Sequence, residues 1–313
     1  MITINTMTRN LITLSLFVCT TTLVFVNCSK ERIEAVKQYS PVATYLDTKK
    51  QAEQEIIIDS SGTAPIVGKQ GTKIWTGKQC LMFPNGDSVT WPFTVKLVEL
   101  YTPKDMIYYQ MPTVSAGTVM KTDGEIKLTA FKNGTELVLK PDSCMAQIEM
   151  PNTAPQANMR VFYGINTTIA PITYVDWTDD PTKVGVTTSL SPLFTTNTTG
   201  YSAFIAKLGW INCGMLAGSS ASSTLTFTSS TDDLTNVGIF VYIPATKTVI
   251  QVYNLSSTAI PNGSAVKIIA IGIDASGNLF SAYQEATVSA NTTVDVTLGA
   301  TTDADLTSVL DKL

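Results

Sequence analysis

Short runs of alternating apolar and polar residues, separated by turn signals, fill the chain from residue 66 onward. Between residues 124 and 139, two such runs flank Asn133-Gly134, a pair that readily adopts the positive φ angles of a tight hairpin turn. Pro-Asn-Gly at 261–263 and Asp-Ala-Ser-Gly-Asn at 274–278 separate further strand-like runs. Several short strands at this spacing are typical of a β-sandwich.

The composition favours the same fold class. Charged residues make up 15% of the chain, against about 25% in typical soluble domains. Serine, threonine, valine and isoleucine take their place, and the β-branched residues among them favour strands. A chain of 313 residues also exceeds one ordinary domain. We therefore predict an all-β protein with two or three tandem antiparallel β-sandwich domains after a signal peptide and tether, and a short C-terminal helix.

Shifts in composition divide the chain into six segments. The region before residue 66 is polar and holds short helical candidates at 30–37 and 47–55, so it is either a tether or a helix packed on the first domain. The last residues pair helix-capping residues with a leucine-rich stripe. The predicted segments are a signal peptide (1–27), a polar tether (28–65), a β-sandwich (66–151), a β-rich middle domain (152–231), a second β-sandwich (232–300) and an amphipathic helix (301–313).

The fifth segment has the clearest strand pattern. Residues 268–273 are apolar at successive positions, as expected for a central strand buried on both faces. The predicted strands of this segment are 236–244, 248–253, 265–273, 279–283 and 293–298.

The first 32 residues have the layout of a bacterial export signal. One charged side chain, Arg9, precedes mostly apolar residues at 11–26, and a cysteine with polar residues follows. The apolar run is shorter than the roughly 20 residues of a comfortable membrane span. We predict cleavage before Cys28 and lipid attachment to its sulfur and new amino group. A noncleaved anchor is the alternative.

Several motifs resemble known bacterial proteins. Cys28-Ser-Lys-Glu31 resembles the start of surface-exposed lipoproteins of the Bacteroidota, which implies an outer-membrane anchor facing outward. Phe83-Pro-Asn-Gly-Asp87 and Val95-Lys-Leu-Val-Glu-Leu100 are similar to a module of these lipoproteins that is distantly similar to the β-sandwich of ankyrins and netrin receptors. The fifth segment resembles transthyretin-like or carboxypeptidase-regulatory-like modules. These resemblances imply structural or adhesive roles.

Histidine is absent from the chain. Its absence excludes Ser-His-Asp and Cys-His catalysis and histidine-ligated metals, although two-carboxylate hydrolysis needs none. Beyond the leader and Cys28, the cysteines are Cys80, Cys144 and Cys213. We predict three buried thiols, with a Cys80–Cys144 disulfide as the alternative. None has metal-site spacing, and we predict no metal, no cofactor and no enzymatic activity.

Two short motifs are candidates for ligand contact or modification. Asp176, Asp179 and Asp180 surround Trp177, a combination that suits calcium or a sugar ring stacked on tryptophan. An acidic turn beside a half-buried tryptophan is the alternative. Asp87-Ser88-Val89 resembles the O-glycosylation motif of the Bacteroidota, which makes Ser88 a candidate acceptor.

The predicted function is that of a lipid-anchored, exported binding, adhesion or assembly protein at the outer membrane. Its predicted partners are the lipid bilayer, through acylated Cys28, and an outer-membrane protein or a glycan. A net charge of −4 without a basic block disfavours nucleic acid. The alternative is a glycan-binding or glycan-processing accessory protein with exposed tryptophans and a carboxylate pair. A third hypothesis is a filament subunit that exchanges a strand, with an unpaired groove between exposed sheet edges as its signature.

Overall fold

The computed structural model describes residues 36–60, 63–141, 144–169, 172–186, 192–218, 221–290 and 292–313. The predicted signal peptide, Cys28 and the greater part of the helical candidate at 30–37 lie outside these residues.

Strands dominate the described residues, which confirms the predicted all-β class. They are β1 (Gln54–Ile58), β2 (Ile66–Val67), β3 (Lys73–Trp75), β4 (Leu81–Met82), β5 (Phe93–Leu100), β6 (Val114–Ser115), β7 (Thr118–Lys132), β8 (Thr135–Glu136), β9 (Val138–Leu139), β10 (Ala146–Pro151), β11 (Arg160–Ile169), β12 (Ile172–Thr178), β13 (Thr195–Asn197), β14 (Gly200–Ile205), β15 (Gly209–Leu216), β16 (Ser222–Ser223), β17 (Leu225–Thr228), β18 (Gly238–Ile243), β19 (Thr248–Gln251), β20 (Ile260–Pro261), β21 (Ala265–Ile273), β22 (Leu279–Thr287), β23 (Thr292–Asp295) and β24 (Gly299–Ala300).

Three short α-helices accompany the strands: α1 (Ala43–Lys49), α2 (Pro103–Tyr109) and α3 (Asp303–Leu310). The predicted C-terminal helix is confirmed as α3. Thr302 precedes it, and its hydroxyl oxygen accepts a hydrogen bond from the backbone N–H of Asp305 at 3.1 Å, a favourable N-terminal cap. Leu306 and Leu310 of α3 are buried. Every helix in the described part of the chain is too short or too polar to span a membrane.

Two antiparallel sheets form the first sandwich. Sheet I has the strand order β1-β5-β7-β15-β11-β12, and sheet II has the order β13-β14-β10-β3-β2. Alternating residues point into the core between them, as in β10, where Ala146, Ile148 and Met150 are buried. β7 pairs with β15 and β10 with β14, so strands from 66–151 and from 152–231 share this core.

The second sandwich lies within residues 222–300. Sheet III has the order β19-β18-β21-β22-β24, and its core packs against the parallel pair β17–β23. The predicted strand at 265–273 coincides with β21, the central strand of sheet III. Its side chains alternate between two cores, because Ile268 and Ala270 face the second sandwich while Ile269 and Ile271 face the other way.

A third apolar cluster, the interlayer core, joins the two sandwiches. Phe162 and Trp177 of sheet I, Phe240 of sheet III and all three helices contribute to it. Residues 38–313 therefore form one compact unit. Leu46 of α1 is fully buried in this core, so the described residues from 38 to 60 belong to the folded unit rather than to a free tether. The helical candidate at 47–55 is replaced by the end of α1 and the start of β1.

Candidate functional site

Two residues of the predicted acidic cluster are held by contacts within the protein. Trp177 is only 1% exposed, and its indole N–H donates a hydrogen bond to the backbone oxygen of Pro112 at 2.7 Å. A side-chain oxygen of Asp176 accepts hydrogen bonds from the backbone N–H groups of Ala116, at 3.0 Å, and Trp177, at 2.9 Å. The ring of Trp177 is thus a packing element of the interlayer core.

The other two aspartates also have intramolecular partners. Asp179 Oδ2 lies 2.8 Å from Arg160 Nε. Asp180 accepts hydrogen bonds from the backbone N–H of Thr182 at 3.0 Å and from its hydroxyl at 2.7 Å, and these bonds lower the pKa of the Asp180 carboxyl. The described residues contain no cluster of acidic or cysteine side chains fit to hold a metal ion. Ligand contact by these four residues stays a prediction.

Ser88 is exposed next to the tight turn at residues 83–87. It forms a single bridge with Met82, outside the named strands. The position leaves its hydroxyl accessible, and glycosylation there stays a prediction.

The cysteines differ from the expectation of three free thiols. Cys80 and Cys144 form a disulfide, with their Cα atoms 5.0 Å apart. Cys213 is the free one among the described cysteines, and burial raises the pKa of its thiol. The pairing depends on the approach of two segments 64 residues apart, which no local pattern in the sequence reveals.

The four tryptophans do not share one surface. Trp177 is buried, and Trp210 is half-buried beside Tyr109, with the ring centres 6.0 Å apart. Trp75 and Trp91 are half-buried and line the same groove. Trp91 stacks on Phe93 with ring centres 5.0 Å apart.

That groove, which we call the edge groove, lies between the outermost strands β1 of sheet I and β2 of sheet II. Its volume is about 710 Å³. Ile57 of β1 is 71% exposed and Val67 of β2 is 57% exposed, an unusual position for apolar β-branched side chains. The Cys80–Cys144 disulfide borders the groove through Cys80.

The lining of the edge groove combines apolar side chains with the polar residues Asp59, Ser60, Thr63, Thr76 and Gln79. Asp59 is the single charged residue among the described residues that line it. The hydroxyl oxygen of Thr76 is buried there and has no hydrogen-bond partner in the described chain. A buried polar atom of this kind is stabilised by a ligand that can pair with it.

The sequence contains a signal for this groove within the segment predicted to be a tether. Residues 56–58 are three consecutive isoleucines between Glu55 and Asp59, inside the region interpreted as a tether. A tether gives no reason for such a run, whereas an edge strand with one face on a core and the other free does.

A comparison with protein-family models found no match to this chain, and a comparison with curated proteins found none either.

Proposed function

We propose that this protein is an exported, lipid-anchored assembly or adhesion component of the outer membrane, and that its edge groove binds an extended segment of a partner protein. The observation that carries the proposal is the open edge of both sheets at one place. Among the described strands, β1 pairs only with β5 and β2 only with β3. An extended segment can add to such an edge through main-chain hydrogen bonds.

The chemistry of the groove indicates the occupant. Ile57, Val67, Trp75 and Trp91 offer apolar contacts, which suit alternate side chains of an added strand, since these point to one face. Sheet edges in soluble proteins are usually protected by charge, proline or a bulge. Here the charges flank the isoleucine run at Glu55 and Asp59 and leave its centre accessible. The proposed occupant is therefore a strand with alternating apolar residues.

The anchor and location are proposed from the leader. Its apolar run before Cys28 favours export and lipid attachment, and the resemblance of residues 28–31 to surface lipoproteins favours the outer face. The Cys80–Cys144 disulfide is consistent with an oxidising compartment. The proposal includes no catalytic step, since the chain has no histidine and Asp59 is the single carboxylate among the described residues that line the groove.

Site-specific photocrosslinking in the full-length, membrane-anchored protein tests the groove. A photoreactive residue in place of Ile57 is expected to attach to one recurring peptide with alternating apolar residues, identified by mass spectrometry. A peptide from this same chain would define the assembly as a homopolymer.

The matched control is Phe204 on β14, which is also apolar and 51% exposed but does not line the edge groove. The photoreactive residue at position 204 is expected to give no such peptide. Identical products at positions 57 and 204, or none at 57, would refute strand binding. An Ile57→Asp variant should lose the assembly, whereas Phe204→Asp should retain it.

Metabolic labelling with a fatty-acid analogue tests the anchor separately. The native chain is expected to take up the label and a Cys28→Ala chain to lose it. Label that persists in Cys28→Ala would exclude this cysteine as the lipid site.

A further inference from the structure

A second cavity lies between the sandwiches, and we call it the inter-sandwich cleft. Its volume is about 420 Å³, which is in the range of small-molecule sites. Sheet I, the end of α2 and the end of β19 supply its walls. Four aromatic side chains line it: Tyr109, Tyr174, Trp210 and Tyr253.

The aromatic rings form two pairs. Tyr174 and Tyr253 have ring centres 4.9 Å apart and planes tilted by 30°, while Tyr109 and Trp210 meet edge to face at 77°. All four are half-buried, so each presents part of its apolar surface to the cleft. The position of Trp210 depends on Gly164, where an added Cβ would lie 2.7 Å from the Cβ of Trp210.

Two polar atoms at the cleft lack partners. The side-chain oxygen of Gln251 and the hydroxyl of Tyr253 are buried and make no hydrogen bond within the described chain. Buried polar atoms are normally paired, and each exception calls for a cause such as a bound ligand. A ligand with hydroxyl groups could donate to Gln251 and either donate to or accept from Tyr253.

The charges at the cleft neutralise one another. Lys50 Nζ lies 2.7 Å from Asp47 Oδ1, and Lys127 Nζ lies 3.7 Å from Glu53 Oε1. Glu53 Oε2 is also 3.5 Å from Lys96 Nζ. Because these cations already have carboxylate partners, an anionic ligand would gain little here, and a neutral ligand fits the cleft better.

We infer that the inter-sandwich cleft binds a neutral saccharide. A sugar ring combines an apolar C–H face, which packs on tyrosine and tryptophan rings, with hydroxyls that pair with Gln251 and Tyr253. A purely apolar ligand would leave both polar atoms unpaired. Glu53 is the single carboxylate among the described residues that line the cleft. The site is therefore one for binding rather than two-carboxylate hydrolysis. It is separate from the edge groove, with which it shares no lining residue.

The test is a titration of the full-length protein, in a detergent without a sugar headgroup, with neutral mono- and disaccharides of glucose, galactose, mannose and N-acetylglucosamine. Tryptophan fluorescence and calorimetry report binding. At least one saccharide is expected to bind. No binding up to about 10 mM, a concentration that would reveal millimolar affinity, would overturn the inference, and so would binding of uronic-acid or sulfated sugars alone.

Variants then locate the site. Tyr253→Phe removes one unpartnered hydroxyl and is expected to weaken binding about three- to tenfold, as for one lost hydrogen bond, without lowering the thermal unfolding temperature. Trp210→Ala should weaken it about tenfold or more. The control Tyr283→Phe alters an exposed tyrosine on β22 and should bind as the native chain does. Unchanged binding in both Tyr253→Phe and Trp210→Ala would exclude this cleft.

Discussion

Both sandwiches have an apolar core, and they differ in the buried polar groups and cross-links that accompany it. In the second, β18 and β21 are covered on both faces by apolar residues such as Ile239 and Phe240. In the first, neighbouring strands β5 and β7 carry the fully buried carboxyl groups of Glu99 and Glu125, and a disulfide joins two of its segments. Chemical conditions such as pH and redox state should therefore act on the first sandwich more than on the second.

The two buried carboxyl groups are themselves unlike. Glu99 accepts hydrogen bonds from the side-chain amide of Gln54 at 2.8 Å and from the backbone N–H groups of Gln70, at 2.9 Å, and Thr72, at 3.0 Å. One oxygen of Glu125 accepts a hydrogen bond from Asn212 at 3.0 Å, while its other oxygen is buried without a partner in the described chain. Burial accordingly raises the pKa of Glu125 well above its ordinary value. The hydrogen bonds of Glu99 hold residues 70–72 against sheet I, and for Glu125 we expect a contribution to stability that depends on pH.

The sheet edges differ as well. The backbone N–H of Thr113 donates a hydrogen bond to the Val249 oxygen of β19 at 2.7 Å, so the first sandwich covers an edge of the second. The β1 edge of the first sandwich has no such cover among the described residues. The β19 edge therefore takes part in the contact between the two sandwiches, whereas the β1 edge is uncovered among the described residues.

The largest loss in the free energy of unfolding is expected from a substitution in the core of the second sandwich. Phe227 on β17 is 1% exposed in the second core, and Phe227→Ala should lower the free energy of unfolding by about 3–5 kcal/mol through lost burial and a cavity. Urea denaturation measures this change. Phe204→Ala, at an exposed position, should stay within about 0.5 kcal/mol of the native value. Equal losses in the two variants would contradict the assignment of Phe227 to an apolar core.

Removal of the disulfide should cause the next largest loss in the free energy of unfolding. Replacing Cys80 and Cys144 together by serine should lower the free energy of unfolding by about 2–4 kcal/mol, because the bridge constrains the unfolded chain. A reducing agent should lower the stability of the native protein by the same amount and leave the double variant unchanged. If the reductant also destabilised the double variant, the redox sensitivity would have another source.

The smallest expected change is that of Glu125→Gln, which should increase the free energy of unfolding rather than lower it. Since its folded pKa is raised above the ordinary value of 4.5, its contribution to stability is fully present below about pH 4.5 and is lost as the pH rises through the folded pKa. Glu125→Gln should remove this loss and raise the free energy of unfolding at pH 8 above that of the native chain, while the two chains differ less at pH 4. Urea denaturation at pH 4 and pH 8 tests it. A pH dependence that persists unchanged in the variant would assign it to other groups.

Local patterns were sufficient to predict local structure. The hairpin at Asn133-Gly134 is confirmed, with positive φ angles of 51° and 78° and pairing of Lys132 with Thr135. The central strand β21 and the capped helix α3 could be predicted equally well, because apolar periodicity and capping residues act over a few positions.

Contacts between distant segments could not be predicted in the same way. The pairing of β7 with β15 and the Cys80–Cys144 bridge depend on registers that alternation leaves open. The local sequence suggests a half-buried Trp177, whereas contacts with the second sandwich bury it completely. The inter-sandwich cleft could not be predicted for the same reason, since residues from 50 to 253 meet there.

The position of α3 has a consequence for the order of folding. Its residue Asp303 accepts a hydrogen bond from the hydroxyl of Tyr45 on α1 at 2.7 Å, and Leu306 and Leu310 join Leu46 in the interlayer core. Because the chain is synthesised from its N-terminus, α1 is made long before this partner. The first sandwich can close early, but the joint between the sandwiches must wait until residues 303–310 have been synthesised, which makes their docking a late, long-range step.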